Sequence, residues 1–162
     1  MIVVAVNLVA YLVLGGPEQA LAQRVLERNP VWAAPVLWRR EFRIVLAAFM
    51  RQRDLTLRDA WRAHGLADQL LAGQEFAVPV ERVLTLVAAS TCSADDCEYV
   101  ALAEELAVPL VTADRQLLRT FPGRAISPRD FVAEAAYRAN ASAAGATDAA
   151  SPHLPSQLIG GR

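Results

Sequence analysis

The stretch MIVVAVN, residues 1–7, opens the chain with a continuous apolar run that ends at a polar residue. A second stretch of the same kind, VPLVTAD at 108–114, ends at Thr112 and Asp114. Runs that are apolar throughout, rather than alternately apolar and polar, are typical of parallel strands covered on both faces. The two stretches therefore predict two central strands of a parallel sheet, with polar side chains where both strands end.

Strand and helix signals alternate along the rest of the chain. Gly15-Gly16-Pro17 breaks the chain after the first strand, and a helix is predicted after it. The alternation predicts a three-layer α/β/α sandwich around a mainly parallel sheet. The predicted helices lie at 18–28, 35–53, 56–71, around 83–87, 93–107, 114–121 and 127–138, and the other predicted strands at 31–35, 75–80 and 124–127.

The composition is that of one globular domain. The chain has 162 residues, of which 54% are hydrophobic and 20% are charged, and this is enough apolar material for a single core. We place the domain at residues 1–138. Ala, Ser, Gly and Pro dominate from Asn140 onward, so we predict a loosely ordered tail at 139–162 that carries no site.

The distribution of charge along the chain says more about possible partners than the net charge does. The net charge is −1 at pH 7, which excludes the global basic field expected of a nonspecific nucleic-acid binder. Arginines are nevertheless concentrated in one segment, where only Glu41, Asp54 and Asp59 oppose them. This surplus is either a solvated helix face or a surface that meets phosphates or an acidic partner. The arginines of the segment are Arg39, Arg40, Arg43, Arg51, Arg53, Arg58 and Arg62.

The two cysteines, Cys92 and Cys97, predict free thiols rather than a zinc site. No histidine lies near them, and five residues apart on a helix they would point to different faces. Free thiols are the norm in a reducing cytoplasm. The apolar start of the chain has no basic segment before it and is too short to cross a bilayer, so we expect a cytoplasmic protein with no membrane segment.

Three acids lie where an open parallel sheet forms its binding sites, outside the carboxyl ends of the strands. Glu41 is early in the helix after the second strand, Asp96 is in a first helical turn, and Asp114 directly follows a buried strand. Asn7 and Thr112 are polar companions at the two central strand ends. Each acid also has a purely structural explanation, because Asp96 and Asp114 could be helix caps and Glu41 a surface residue among arginines.

The three acids stand in three motifs that follow one another in a definite order. The chain has PVLWRRE ending at Glu41, SADDCEYVALAEEL with Asp96, and VPLVTADRQLL with Thr112 and Asp114. Over about residues 1–133, these motifs resemble the PIN-domain proteins of the bacterial VapC toxin family. That family typically has P-x-LW-x-x-E, S-x-Y-D-x-x-Y-V-A-L-A-E and V-P-L-V-T-x-D. The last two matches are specific because they are adjacent and in order.

The resemblance implies a fold and an activity. Such proteins fold as α/β/α sandwiches and cleave RNA with Mg²⁺ or Mn²⁺ held by clustered carboxylates, which are the ligands that hard cations prefer. By this resemblance Glu41, Asp96 and Asp114 would be catalytic metal ligands, and Asn7 and Thr112 would orient ligands or substrate. The implied partners are an RNA such as tRNA, a cognate antitoxin protein and a second copy of the chain in a homodimer.

The opening stretch departs from the family pattern. Where the family has D-T/S-N, this chain has Ala5, Val6 and Asn7, so an acid and a hydroxyl are missing. Asp95 stands where the family often has Tyr, and it projects about 100° of helix away from Asp96. We therefore expect weak metal binding and a VapC-type, metal-dependent endoribonuclease that is weakened or inactive.

A non-catalytic PIN-like module that binds RNA or a protein partner is the alternative function. An apolar Ala5 on a buried strand is compatible with it and needs no further explanation. Two other classes of protein are disfavoured, because the sequence lacks a feature that each of them requires. A haloacid-dehalogenase-like phosphatase needs a nucleophilic Asp on the first strand, and a dinucleotide-binding domain needs a glycine-rich turn after it.

Overall fold

The computed structural model of the chain describes residues 1–52 and 54–134, which form a five-stranded parallel sheet with helices around it. Arg53, the predicted domain end at 138 and the predicted tail at 139–162 lie outside the described residues. The elements in chain order are β1 (Ile2–Val4), α1 (Val6–Leu14), α2 (Gln19–Arg28), β2 (Trp32–Pro35), α3 (Trp38–Arg51), α4 (Leu57–Leu70), β3 (Glu75–Phe76), α5 (Val80–Ala89), α6 (Ala94–Glu105), β4 (Leu110–Val111), α7 (Arg115–Thr120), β5 (Ala125–Ile126) and α8 (128–134).

The strand order is β3-β2-β1-β4-β5, and every neighbouring pair is parallel. β1 is central, with Val3 paired to Ala33 of β2 on one side and to Leu110 of β4 on the other. The chain winds from β1 toward β3 in one direction and from β4 toward β5 in the other. In such a sheet the crevice lies beyond the carboxyl ends of the strands where the order reverses, which here is the end of β1.

Helices form two groups around the sheet. α6 packs across β1, β2 and β4 and contacts α5 along its length, whereas α1 packs against α2, α3 and α4. The strands are buried as the continuous apolar pattern predicts: Ile2, Val3 and Val4 are at most 1% exposed. The predicted α/β/α sandwich is confirmed.

α1 was not indicated by the sequence pattern. It spans Val6–Leu14 and follows β1 without a loop, with Ala5 in an extended conformation as its N-cap and Gly15 ending it at φ 83°. Its sequence VNLVAYLVL is almost entirely apolar, so periodicity cannot distinguish a helix from a strand there. Asn7 therefore lies in the first turn of α1 and not at the end of β1, so its predicted position at a strand end is wrong.

β4 is shorter than the predicted strand at 108–114. The backbone N–H of Val108 is already bonded to the carbonyl of Ala103 at the end of α6, at 3.0 Å, and Pro109 has no N–H to donate. Strand pairing consequently starts at Leu110.

The two cysteines do not lie on one helix. α6 begins at Ala94 with Ser93 as its N-cap, so Cys92 precedes the helix and only Cys97 is part of it. The prediction that they point to different faces of a single helix is therefore wrong, although both are free thiols as expected.

Candidate active site at the carboxyl edge of the sheet

Two groups of polar side chains lie beyond the carboxyl ends of the central strands. The first, which we call the Glu41 cluster, comprises Glu41 with Arg40 from α3 and Asp95, Asp96 and Tyr99 from α6. The second, the Asn7 cluster, comprises Asn7, Thr112 and Asp114. Ala5 directly follows β1, the strand between β2 and β4, and it is the N-cap of α1, which carries Asn7.

Tyr99 organises the Glu41 cluster. Its hydroxyl donates a hydrogen bond to Oε2 of Glu41 at 2.5 Å. The side chain is only 2% exposed, so water does not compete for this bond. A single buried hydroxyl thus connects α3 and α6.

The environment of Glu41 disfavours its charge. Burial raises the pKa of Glu41, the hydrogen bond from Tyr99 opposes this, and the negative charges of Asp95 and Asp96 raise the pKa further. Burial and the neighbouring Glu41 charge also raise the pKa of Tyr99 far above its usual value. The shared proton therefore stays on the phenol oxygen, and Glu41 is the acceptor.

Asp95 and Asp96 point to different partners, as their helical spacing predicted. Asp95 Oδ2 lies 3.0 Å from a guanidinium nitrogen of Arg40. Asp96 Oδ2 accepts from the Ser93 hydroxyl at 2.7 Å, and Ser93 Oγ accepts from the Asp96 backbone N–H at 3.1 Å. Asp96 therefore completes a capping box at the start of α6.

The Asn7 cluster ties α1 to the loop after β4. Asn7 Nδ2 donates to Thr112 Oγ1 at 3.3 Å, and its Oδ1 accepts from the backbone N–H of Ala113 at 3.3 Å. Thr112, which is fully buried, also accepts from the Asp114 backbone N–H at 3.1 Å. Asp114 Oδ1 in turn accepts from two backbone N–H groups in the first turn of α7, at 2.7 and 2.9 Å. Asp114 is thus the N-cap of α7.

The carboxylate oxygens of the three predicted metal ligands suit a hard cation, but the way these side chains are arranged does not. Glu41, Asp96 and Asp114 all offer carboxylate oxygens, yet each is already engaged by Tyr99, by Ser93 or by backbone amides. Within residues 1–52 and 54–134, no group of three or more His, Cys, Asp and Glu side chains could hold a metal ion. The residues present therefore do not fit a bound divalent cation as they are arranged, and their metal-ligand role stays a prediction.

Ala5 is the position that separates this site from the family pattern. It is 5% exposed, and its backbone N–H donates to the carbonyl of Val111 at 3.1 Å. As the N-cap of α1 it provides no side-chain hydrogen bond, although Asp, Asn, Ser and Thr are the residues that cap helices best. An acid here would both cap α1 and add a carboxylate beyond the carboxyl end of the central strand.

The predicted arginine surface is partly neutralised. Arg39 binds Glu75 at 2.9 Å and Asp68 at 2.5 Å and lies over the Trp38 ring, and Arg40 pairs with Asp95. The side chains of the other described members of the segment are exposed and form no ion pair with any described residue. They are Arg43, Arg51, Arg58 and Arg62.

Sequence reasoning named Tyr99 in a motif but gave it no role. The available signal is its position at the start of the apolar run YVALA, residues 99–103, in the middle of α6. A buried tyrosine in such a helix needs a partner for its hydroxyl. Its partner, Glu41, lies 58 positions away along the chain, and no local pattern identifies it.

Comparisons with known proteins establish the fold. No family model and no curated protein matches the chain. A chain of a toxin–antitoxin complex from Klebsiella pneumoniae is 16% identical with a TM-score of 0.59, over 79% of this chain and 98% of that one. The structure of PAE2754 from Pyrobaculum aerophilum is 21% identical with a TM-score of 0.61, over 83% and 96%. These likenesses agree with the predicted PIN-like fold class. No described helix is long and apolar enough to cross a membrane.

Proposed function

We propose that this chain is a PIN-like domain of a toxin–antitoxin pair, built as a metal-dependent endoribonuclease and weakened or inactive as it stands. The observation that carries the proposal is Ala5, a residue without a carboxylate directly after the central strand. The similarity to a chain of a toxin–antitoxin complex supports the toxin–antitoxin part. The motifs around Glu41, Asp96 and Asp114 support the ribonuclease part.

The proposal assigns partners to the domain. A cognate antitoxin protein is the first, an RNA such as tRNA is the second, and a second copy of the chain completes a homodimer. The exposed arginines of the segment, Arg43 on α3 and Arg62 on α4 among them, would meet the phosphates of the RNA. Mg²⁺ or Mn²⁺ would bind weakly, because Glu41, Asp96 and Asp114 lack the carboxylate that the family pattern has at position 5.

A second candidate is a non-catalytic module that keeps the fold to bind RNA or a protein. The observation that favours it is that every acid of the site already has a partner within the chain. Each of these acids therefore has a structural reason to be present that does not require a cation.

Position 5 separates the two candidates. We would compare the parent chain with the double variants Ala5→Asp/Val6→Thr and Ala5→Asn/Val6→Thr. Asp and Asn are equally good N-caps, so the pair differs only in the charge at position 5. Mn²⁺ binding would be measured by calorimetry, and cleavage of total tRNA would be followed with and without chelator.

We expect the Asp variant to gain at least about 10–100-fold in Mn²⁺ affinity, the range that changes around a metal ligand typically cost. It should also show cleavage that chelator abolishes, and the Asn variant should show neither. A parent chain that cleaves as fast as the Asp variant would overturn the missing-ligand argument. An Asp variant that gains neither metal nor activity would make the non-catalytic module the better account.

A further inference from the structure

The two cysteines flank the capping box of α6. Ser93 is the N-cap and Asp96 is the third helical residue, so Cys92 immediately precedes the cap and Cys97 is the fourth helical residue. At helix starts of this kind, the side chains at these two positions commonly pack against each other, an arrangement called the hydrophobic staple. The start of α6 therefore has thiols at both positions of a staple.

The surroundings of the two thiols agree with this placement. Cys92 is 6% exposed and Cys97 is fully buried, as expected for side chains that pack together. Ser90 contacts both: its Oγ accepts a hydrogen bond from the Cys92 backbone N–H at 3.3 Å and lies 3.9 Å from Cys97 Sγ. One hydroxyl group thus contacts both cysteines.

We propose that Cys92 and Cys97 form an oxidation site, in which a disulfide bond closes across the first turn of α6. A disulfide requires the two Cβ atoms to come within about 3.5–4.5 Å. Side chains at the two staple positions pack toward each other across the first turn of a helix, and an adjustment of the loop before α6 would bring the two Cβ atoms to this separation. The proposal is independent of the proposed function, since it rests only on how α6 begins.

The reaction is thiol–disulfide exchange with a low-molecular-weight disulfide such as oxidised glutathione. Cys92 lies outside the helix and is the more exposed, so its thiolate attacks first and releases one glutathione thiol. The Cys97 sulfur then attacks the Cys92 sulfur of the mixed disulfide and releases the second. Two protein thiols are oxidised, one external disulfide is reduced to two thiols, and the two protons pass to the released glutathione.

The bond would fix the corner between α5 and α6. The loop it closes contains Ser93 and Asp96, so the capping box would be enclosed by a covalent link. Asp96 would then be held in its role as a cap, and the start of α6 would resist local opening.

The test uses the full chain in buffers of defined oxidised-to-reduced glutathione ratio, folded and in urea. After acid quenching and alkylation, mass spectrometry distinguishes free thiols, mixed disulfides and the internal disulfide. The chain has only two cysteines, so an internal disulfide can only be this pair. We expect the equilibrium constant for forming the internal disulfide to be at least about tenfold larger in the folded chain than in urea. The reason is that a disulfide that stabilises the folded state is itself stabilised by folding, by the same free energy.

Cys92→Ser and Cys97→Ser are the matched controls, and each should give only a mixed disulfide or a free thiol. The oxidised parent chain should also melt at a higher temperature than the reduced one, and neither control should show the shift. The proposal is overturned if the folded chain keeps two thiols, or stops at mixed disulfides, under conditions that oxidise the urea-unfolded chain. Disulfide-linked dimers as the main product would overturn it as well.

Discussion

Tyr99→Phe is the substitution that tests most directly how the candidate site is held together. It removes one oxygen and leaves the ring, so packing in α6 is retained. The lost hydroxyl donates to Glu41 Oε2 at 2.5 Å. Because Tyr99 is 2% exposed, water cannot easily replace this bond.

The expected cost follows from this bond and from the burial of the Glu41 carboxylate that loses its partner. A hydrogen bond to a charged group contributes about 1.5–3 kcal/mol, and a buried group left without a partner costs about 1–3 kcal/mol. The two terms share one hydroxyl and are not additive, so we expect the free energy of unfolding to fall by about 2–4 kcal/mol. Domains of this size have about 5–15 kcal/mol in total, so the variant should still fold.

The cost should depend on pH. Burial raises the pKa of Glu41 above its usual value, and the charges of Asp95 and Asp96 add to this rise. A carboxyl group whose pKa is higher in the folded state is favoured there in its protonated form, so stability is lost as pH rises through that folded pKa. The hydrogen bond from Tyr99 opposes this loss by lowering the pKa. Its removal should therefore cost more at neutral pH than at a pH below about 4, where Glu41 is protonated.

Urea denaturation of a double-mutant cycle measures the effect. The cycle comprises the parent, Tyr99→Phe, Glu41→Gln and the double variant, each at neutral and acidic pH. Tyr11→Phe is the control, because Tyr11 lies on α1 and is only partly buried. We expect a coupling energy of about 1–2 kcal/mol at neutral pH. Coupling indistinguishable from zero, or a Tyr99→Phe cost that does not change with pH, would refute this account of the site.

Two further predictions concern the Asn7 cluster and the arginine segment. Thr112→Val should lower the free energy of unfolding by about 1–3 kcal/mol, because the buried hydroxyl accepts from Asn7 Nδ2 and the Asp114 N–H. Thr112→Ser keeps the hydroxyl and should cost clearly less. Equal costs for the two variants would contradict this role of the hydroxyl. Replacing Arg43 and Arg62 by Ala should weaken RNA binding and reduce the slope of log affinity against log salt by about 1–2, whereas replacing Arg24 and Arg28 on α2 should change neither. Binding that keeps its affinity and slope without Arg43 and Arg62 would identify the segment as a solvated face.

The sequence predicted the parts of the fold that depend on local pattern. β1 and β4 were recognisable because buried parallel strands are apolar throughout, and the caps at Ser93 and Asp114 because polar residues there precede helical runs. α1 was missed for the converse reason. Its nine residues are apolar on nearly all sides, so neither a period of two nor one of 3.6 is visible.

The sequence named Glu41, Asp96 and Asp114 as site residues, and their role as a single site stays a prediction. The sequence did not indicate how the side chains of the two clusters are bonded. The contact of Tyr99 with Glu41 and that of Arg40 with Asp95 connect residues more than fifty positions apart. Such pairs depend on how α3 and α6 pack against each other over the sheet. No local pattern in the sequence indicates that packing.

The structure also changes what the surviving acids say about function. Asp96 closes a capping box, Asp114 caps α7 and Glu41 accepts from Tyr99, so each has a structural reason to be present whether or not RNA is cleaved. An N-cap alone is worth about 1 kcal/mol, which is enough to make a carboxylate useful to the fold. The presence of these three acids therefore does not discriminate between a nuclease and a binding module. Position 5 does discriminate, because Ala5 provides neither a cap for α1 nor a metal ligand. A carboxylate restored at position 5 would cap α1 in a nuclease and in a binding module alike, but it would complete a cation site only in a nuclease.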